Sequence, residues 1–228
     1  KTQHATVFAL AKLAESRDTE TGKHLERIRG YGKEIAEELA GYDGLKDSIT
    51  EDFIDVLFNA SAMHDIGKVG IPDRILLKPG KLTPEEFDIM KRHTEIGGDT
   101  LAAVEEETGG SPLIAMGRDI AYYHHERWDG SGYPRGLKGD HIPLAARIIN
   151  LADCYDALVS KRCYKEPFSH EKAKEIILGS EGTQFDPDVI KAFLKREERF
   201  RAIHFELQDS DPTTWIQKVV ESLDSNQT

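Results

Sequence analysis

Cysteine is scarce in this sequence: Cys154 and Cys163 are the only two thiols among 228 residues. Two cysteines cannot supply the disulfide framework that stabilises small secreted domains. We therefore interpret both as packing residues, the usual role of a free cysteine. We also expect the chain to work in the reducing cytoplasm.

Long apolar runs are missing as well. No stretch approaches the roughly 20 apolar residues that a transmembrane helix needs, so we expect no membrane span. The first residues also lack the short apolar core and cleavage site of a secretory signal. Because the sequence opens with Lys1 and not with methionine, we expect it to be a piece of a longer protein.

Positive charge is in the minority, with 30 Lys and Arg against 41 Asp and Glu and a formal net charge of −11. Duplex DNA and anionic lipid both need a basic surface, so we expect neither to be a partner. A small anionic ligand stays open, provided that a metal or local cations offset the repulsion.

Strand signals are nearly absent, whereas helix starts are frequent. Thr83-Pro84-Glu85-Glu86 is a capping box, and Asp186-Pro187 and Asp211-Pro212 repeat the cap-then-proline start. The pattern predicts an all-α bundle of about seven to nine helices. The predicted helices lie roughly at 3–16, 20–40, 51–64, 84–107, 112–126, 143–160, 170–179, 187–199 and 212–224. The connections at roughly 65–82, 127–142 and 161–169 have the composition of functional loops.

Several histidines lie close to acidic residues. Glu20 and His24 are four residues apart and share one face of a helix. His64 and Asp65 end an apolar helix, and Asp153 lies within another, where a carboxylate needs a partner or a metal. Each has a plainer alternative: a solvated helix face, a C-terminal cap or a salt bridge, respectively.

Taken together, these residues and three further histidines form a set of imidazoles and carboxylates without a thiolate. The set is Glu20, His24, His64, Asp65, His93, His124, His125 and Asp153. Such ligands suit iron, manganese or zinc at a site with open positions. They are too many for one ion, so we expect two or three. Since such sites promote in-line attack at phosphorus, phosphoester hydrolysis is the leading chemistry.

Four motifs, taken in order, resemble the HD-GYP family of bacterial cyclic dinucleotide phosphodiesterases. They are HDIGK, KRHTEIG, HHERWDGSGYPRGLKGDHIPLAARI and LADCYDAL, and the resemblance covers roughly residues 2–199. It implies a helical bundle of the HD phosphohydrolase type, with a catalytic domain over 1–200 and a C-terminal helical extension and tail over 201–228. It also implies hydrolysis of cyclic di-GMP to linear pGpG, with GMP as a further product left open.

The resemblance assigns roles to the candidate ligands. It implies that His24, His64, Asp65, His93, His124, His125 and Asp153 bind metal and that Asp65 bridges two ions. A glutamate at the position of Glu20 resembles the mark of the trinuclear branch of the family. We therefore expect three divalent ions, with two as the alternative, most readily iron, then manganese, with zinc less suitable.

The resemblance also implies catalytic roles for Asp65 and Lys68 and a set of substrate contacts. Lys68, Arg162 and Lys165 match positions that contact the substrate phosphates, and the hydroxyl of Tyr133 can donate to a phosphate oxygen. A solvated basic loop is the alternative for Arg162 and Lys165. Asp156 is expected to orient a ligand or touch a base, with a surface or capping role left open.

Other functions and several partners stay open. The same site can serve cyclic GMP-AMP or another nucleotide, and a catalytically silent interaction module that binds diguanylate cyclases is a third hypothesis. From the resemblance we expect a covalently linked N-terminal receiver or sensor domain. A homodimer through the N-terminal helix is also expected, although no a/d seam is long enough to argue it.

Overall fold

The computed structural model describes residues 2–17, 23–161 and 166–208, and the regular secondary structure of this part of the chain is helical. The α-helices are α1 (Thr2–Glu15), α2 (His24–Leu39), α3 (Glu51–Ala60), α4 (Asp73–Leu76), α5 (Pro84–Lys91), α6 (His93–Thr108), α7 (Pro112–Tyr123), α8 (Leu144–Val159), α9 (His170–Leu178) and α10 (Pro187–Glu206). Short 3-10 segments lie at Ser61–Met63, Ile66–Gly70 and Gly139–His141. Within those ranges the only extended pairing is an isolated bridge between Glu181 and Phe185. The predicted all-α bundle is therefore confirmed.

Several predicted elements differ from the structure: α4 lies within the predicted connection over 65–82, and α3 and α7 end three to four residues earlier than predicted. The single helix predicted over 84–107 is broken at Arg92, so that α5 ends at Lys91 and α6 begins at His93. The helix predicted to end at residue 199 continues to Glu206, and the predicted domain boundary at 200 therefore falls inside α10. Its continuation packs on the core through Phe200, which is fully buried. The helix predicted over 212–224 lies outside the described residues.

Side chains cap the helices where the sequence predicts it. Thr83 and Glu86 form the reciprocal capping box of α5, and the side chain of Asp186 accepts a hydrogen bond from the Asp188 amide at the start of α10. These contacts satisfy amides that have no partner within the first turn. They fix the starts of α5 and α10.

The core is built around α2 and α8. Ile28 and Ile35 of α2 and Ile148 and Ile149 of α8 are fully buried in one large apolar cluster, and α2 also packs against α3 and α10. Cys154 is half-buried against the same cluster, as expected for a packing residue; Cys163 lies outside the described residues. No helix in the described part of the chain is long and apolar enough to cross a membrane.

Glycines allow two unusually close contacts, one between α6 and α7 and one between α7 and the 3-10 segment Ser61–Met63. A Cβ atom on Gly98 would lie 2.3 Å from the ring of Tyr122, and one on Gly117 would lie 2.2 Å from the Met63 side chain. Because interiors are close-packed, there is no room for these extra atoms. The contact between α6 and α7 holds His93, at the start of α6, near His124, directly after α7.

Candidate metal centre

One group of potential ligands lies where α6 begins and α7 ends. Asp65, His93, His124 and His125 each offer a donor atom, and these atoms lie within 4.8 Å of one another. His93 is the first residue of α6, and the two adjacent histidines directly follow α7. The set offers three imidazoles and one carboxylate to a single ion.

A second group brings together α2, α8 and the residue that directly follows the 3-10 segment Ser61–Met63. His24, His64 and Asp153 bring their donor atoms within 4.8 Å of one another, and His24 Nε2 lies 3.8 Å from Asp153 Oδ1. The rings of His24 and His64 are 5.4 Å apart, centre to centre. Every predicted ligand in the described part of the chain belongs to one of the two groups.

Asp65 lies between the groups. Its Oδ1 atom is 3.2 Å from His93 Nε2 and 3.6 Å from His124 Nε2, whereas its Oδ2 atom is 3.3 Å from His64 Nε2. One oxygen therefore faces each group. This is the placement that a bridging carboxylate requires.

Four of the imidazoles are held by their Nδ1 atoms. His64, His93 and His124 donate to the carbonyl oxygens of Ser61, Met90 and Ile120, at 3.0, 2.8 and 3.0 Å. His24 donates instead to Asp156 Oδ2, at 2.8 Å. Anchoring one ring nitrogen fixes the tautomer and leaves Nε2 as the metal-binding atom.

The donor atoms themselves indicate that a cation belongs here. The Nε2 atoms of His64, His93 and His124 and the Oδ1 atom of Asp65 are buried and form no hydrogen bond within the described residues. Each such atom costs roughly 1–3 kcal/mol when left without a partner. Four of them directed at one another make sense if metal ions satisfy them, so the residues fit a metal centre.

The charges at the site favour the metal-binding protonation states. Burial opposes ionisation of Asp65, yet Lys68, whose Nζ lies 2.7 Å from Oδ2, and His64 hold the pKa of this carboxyl well below its usual value. Burial lowers the pKa of His124 and, with the neighbouring imidazoles, lowers that of His125 much further. His64 is the exception: burial lowers its pKa, but the charge and hydrogen bond of Asp65, together with the charge of Asp153, raise it above the usual value.

A glycine places Asp65 and Lys68 beside the first group. A Cβ atom on Gly67 would lie 2.0 Å from the His93 carbonyl oxygen, a contact that no side chain tolerates. The 3-10 segment can therefore lie directly against the start of α6. This close approach explains why a glycine follows His64 and Asp65 so closely.

The glycine-rich loop after the two histidines folds back over them. The Tyr133 ring stacks on that of His125, with centroids 4.9 Å apart, and the Tyr133 amide donates to the His125 carbonyl at 3.3 Å. A Cβ atom on Gly132 would lie 2.3 Å from the Arg127 nitrogen. Burial and the nearby carboxylates raise the pKa of Tyr133, so its hydroxyl stays protonated and available as a donor.

Glu126 is a loop-positioning residue that the sequence analysis missed. Its buried carboxylate accepts hydrogen bonds from the amides of Arg135, at 2.7 Å, and Leu137, at 3.0 Å. Burial raises its pKa, although these amides oppose the shift. The available signal was a carboxylate placed directly between the histidine pair and a glycine-rich loop.

The predicted substrate contact at Asp156 is corrected by the structure. Asp156 is only 1% exposed, and its two oxygens accept hydrogen bonds from His24 and from Arg27. It therefore has no surface, base or capping role to play here, and the alternative of orienting a ligand is the one that fits. Arg27 was also missed, although it lies three residues after His24 and so on the same side of α2.

Three predicted site residues cannot be placed. Glu20, Arg162 and Lys165 lie outside the described residues. The third ion and the two phosphate contacts that depend on them stay predictions.

Comparison with known proteins gives a family and a fold. The model of a family described as "HD domain" matches residues 9–189. A "probable cyclic di-GMP phosphodiesterase" of Vibrio cholerae serotype O1 is 54% identical over 92% of this chain and 48% of its own length. A "3'3'-cGAMP-specific phosphodiesterase 2" of the same organism is 41% identical over 92% of this chain and 38% of its own length.

Among solved structures, that of a cyclic GMP-AMP-specific phosphodiesterase of V. cholerae is similar in fold. It superposes with a TM-score of 0.57 at 20% identity, over 86% of this chain and 50% of the other. The chain thus spans about half the length, or less, of the relatives that it matches.

Proposed function

The chain belongs to the HD domain family, with the motif order of its HD-GYP members, and on that premise we propose that it is a metal-dependent phosphodiesterase that hydrolyses cyclic di-GMP. One observation carries the proposal: two groups of metal-binding side chains share Asp65, whose oxygens lie 3.2 and 3.3 Å from a histidine of each group. The name of the relative that is 54% identical supports the choice of substrate.

The proposed ligands divide between two ions. Asp65, His93, His124 and His125 hold one, and His24, His64 and Asp153 hold the other, with Asp65 shared. Divalent ions at such a site supply Lewis acidity, which activates water and offsets charge at the phosphoryl group. Iron is the first choice and manganese the second, because mixed imidazole and carboxylate ligands suit both. A third ion at Glu20 completes the proposal.

Lys68 and Tyr133 act on the substrate in this proposal. The Lys68 ammonium lies 2.7 Å from Asp65 and so directly beside the metal ligands, where it offsets the charge of a phosphoryl oxygen or gives a proton to the leaving oxygen. Tyr133, stacked on His125, donates its hydroxyl to a phosphate oxygen. Arg162 and Lys165 supply the remaining positive charge that a chain with a net charge of −11 needs to hold a phosphodiester.

Elemental analysis of anaerobically purified protein, combined with a cyclic di-GMP hydrolysis assay on the same sample, tests the proposal. We expect two or three equivalents of iron or manganese and turnover to linear pGpG, and a time course shows whether GMP follows. A metal-loaded sample that leaves cyclic di-GMP intact would contradict the proposal. It would favour another substrate or the silent interaction module.

Cyclic GMP-AMP is the second candidate substrate. It is supported by the relative that is 41% identical and is named for that substrate. Parallel kcat/KM measurements on the two cyclic dinucleotides decide between them, since both assays use the same metal-loaded preparation. A ratio above one for cyclic GMP-AMP would replace the first choice.

The remaining proposals concern the whole protein. Because the chain covers 48% of the relative to which it is 54% identical, we retain a linked N-terminal receiver or sensor domain as the regulatory partner. Contacts with diguanylate cyclases, a homodimer and a cytoplasmic location complete the proposal.

A further inference from the structure

A buried ion pair lies behind the second ligand group. Arg27 and Asp156 are each 1% exposed, and the guanidinium binds the carboxylate through two hydrogen bonds, Nε to Oδ1 at 2.6 Å and Nη2 to Oδ2 at 2.9 Å. Removing two charges from water is costly unless geometry and further hydrogen bonds compensate. The pair has both, and its location calls for an explanation beyond stability.

The carboxylate of Asp156 also holds His24. Its Oδ2 atom, which accepts from Arg27, accepts from His24 Nδ1 at 2.8 Å, and this bond turns His24 Nε2 towards Asp153, whose Oδ1 lies 3.8 Å away. Among the four anchored imidazoles, only His24 depends on a distant side chain; the other three bind carbonyls three or four residues earlier.

Further contacts fix Arg27 in its turn. Its Nη1 atom donates to the carbonyl of Leu207, at the end of α10, at 2.9 Å, and Nη2 also lies 3.2 Å from Ser160 Oγ. The guanidinium is therefore held by α8 and α10 together. Because the planar guanidinium of Arg27 is fixed by these contacts and binds both oxygens of Asp156, the carboxylate has few orientations open to it.

We propose that Arg27 and Asp156 form a positioning pair that orients His24 for metal binding, and that the end of α10 completes it. This inference rests on the proposed role of the site as a metal centre. Neither residue touches substrate, and both act through His24. The pair thus links the second ion site to the packing of three helices.

Metal affinity of the full chain tests this positioning role without any substrate. Mn²⁺ is titrated into metal-stripped protein against a competing fluorescent chelator. Since partners of this kind contribute about 10- to 100-fold to affinity, we expect Asp156→Asn to weaken one equivalent by at least about tenfold and to leave the first group unchanged. Arg27→Lys, which keeps the charge but loses the fork, should cause a smaller loss.

Asp186→Asn is the matched control. Asp186 is also a buried carboxylate paired with an arginine, since its Oδ2 lies 2.6 Å from Arg147 Nη1, but no contact joins it to a ligand in the described structure. We expect this variant to lower the thermal stability of the metal-free chain without changing Mn²⁺ affinity. Equal affinity losses in Asp186→Asn and Asp156→Asn would overturn the proposal.

A double-variant comparison separates positioning from general stability. In a His24→Ala background, which retains His64 and Asp153 as ligands, adding Asp156→Asn should weaken Mn²⁺ binding no further, because the pair has no ring left to orient. The same loss in both backgrounds, or unchanged affinity in a folded Asp156→Asn single variant, would refute the role.

Nitrogen NMR of the wild-type histidines covers the case in which Asp156→Asn does not fold. In zinc-loaded protein, we expect His24 to carry its proton on Nδ1 and the metal on Nε2. Metal bound at Nδ1 would overturn the proposal. Neither the Mn²⁺ titrations nor the NMR experiment uses a nucleotide. A chain that fails to hydrolyse cyclic di-GMP can therefore still confirm the positioning role in both.

Discussion

Replacing Gly132 by alanine tests whether the glycine-rich loop positions Tyr133. The added Cβ atom would lie 2.3 Å from the Arg127 nitrogen, 2.6 Å from the Glu126 Cα and 2.6 Å from the His125 carbonyl oxygen. These are backbone atoms, which cannot rotate aside. Since ordinary contact requires about 3.5 Å, the loop must move by about 1 Å.

The expected magnitudes follow from that displacement. Overpacking costs roughly 1–3 kcal/mol, which for a chain of this size lowers Tm by about 2–12 °C. A displacement of about 1 Å in a group that supports the reacting centre costs on the order of 100-fold in rate. The described ligands lie in or directly beside helices and 3-10 segments, outside the glycine-rich loop. Metal stoichiometry should therefore stay at the wild-type value while kcat/KM falls.

Three measurements on one preparation decide the outcome: elemental analysis, thermal unfolding and cyclic di-GMP hydrolysis. Gly41→Ala is the control, because a Cβ atom there meets only the Glu38 carbonyl, at an ordinary 3.5 Å; it should match wild type in all three. Wild-type kcat/KM in Gly132→Ala would refute the loop's role. Loss of metal in step with activity would show that the loop supports the ligands and not the substrate.

Further predictions concern the ligands and the loop. Asp65→Asn keeps the shape but removes the shared charge, so bound metal and turnover should both fall, turnover by about 100-fold or more; full activity would contradict the bridging role. Glu126→Gln offers the two loop amides one acceptor oxygen in place of two, so the free energy of unfolding should fall by about 1–3 kcal/mol in urea titrations, and an unchanged midpoint would count against it. The pKa values of His124 and His125 are lowered in the folded state, so the unfolded chain binds more protons than the folded chain just below about pH 6.5. The two histidines therefore contribute to the free energy of unfolding above that pH, and this contribution is lost on acidification. Metal content after dialysis should likewise hold at neutral pH and fall in acid, whereas retention down to about pH 4, where imidazole ligands are protonated, would argue against histidine ligation.

The sequence allows prediction of the parts of the site that depend on local order. Each ligand histidine stands in a short motif at a helix end or start, so His64, His93 and the pair at 124 and 125 could be named before the structure was known. The break at Arg92 could not, because neither glycine nor proline marks it. At this point the start of α6 lies directly against the segment around Gly67, a contact between distant parts of the chain that no local pattern records.

Long-range contacts explain most of what the sequence did not reveal. Asp156 meets His24 across 132 positions of the chain, and no spacing rule relates them. The position of Asp156 within a predicted helix was compatible with a substrate contact and with a buried ion pair alike. Nothing local in the sequence singles out Arg27, since burial of its guanidinium depends on α8 and on the end of α10.

The different anchors of the histidine rings bear on how the site forms during folding. His64, His93 and His124 are held by carbonyls of their own chain segments, three or four residues away, and such local contacts form early and at low entropic cost. His24 is oriented only once α2 and α8 have docked. In a partly folded chain these three rings can therefore already have their metal-binding orientation, whereas the His24 ring acquires its orientation only when α2 and α8 dock.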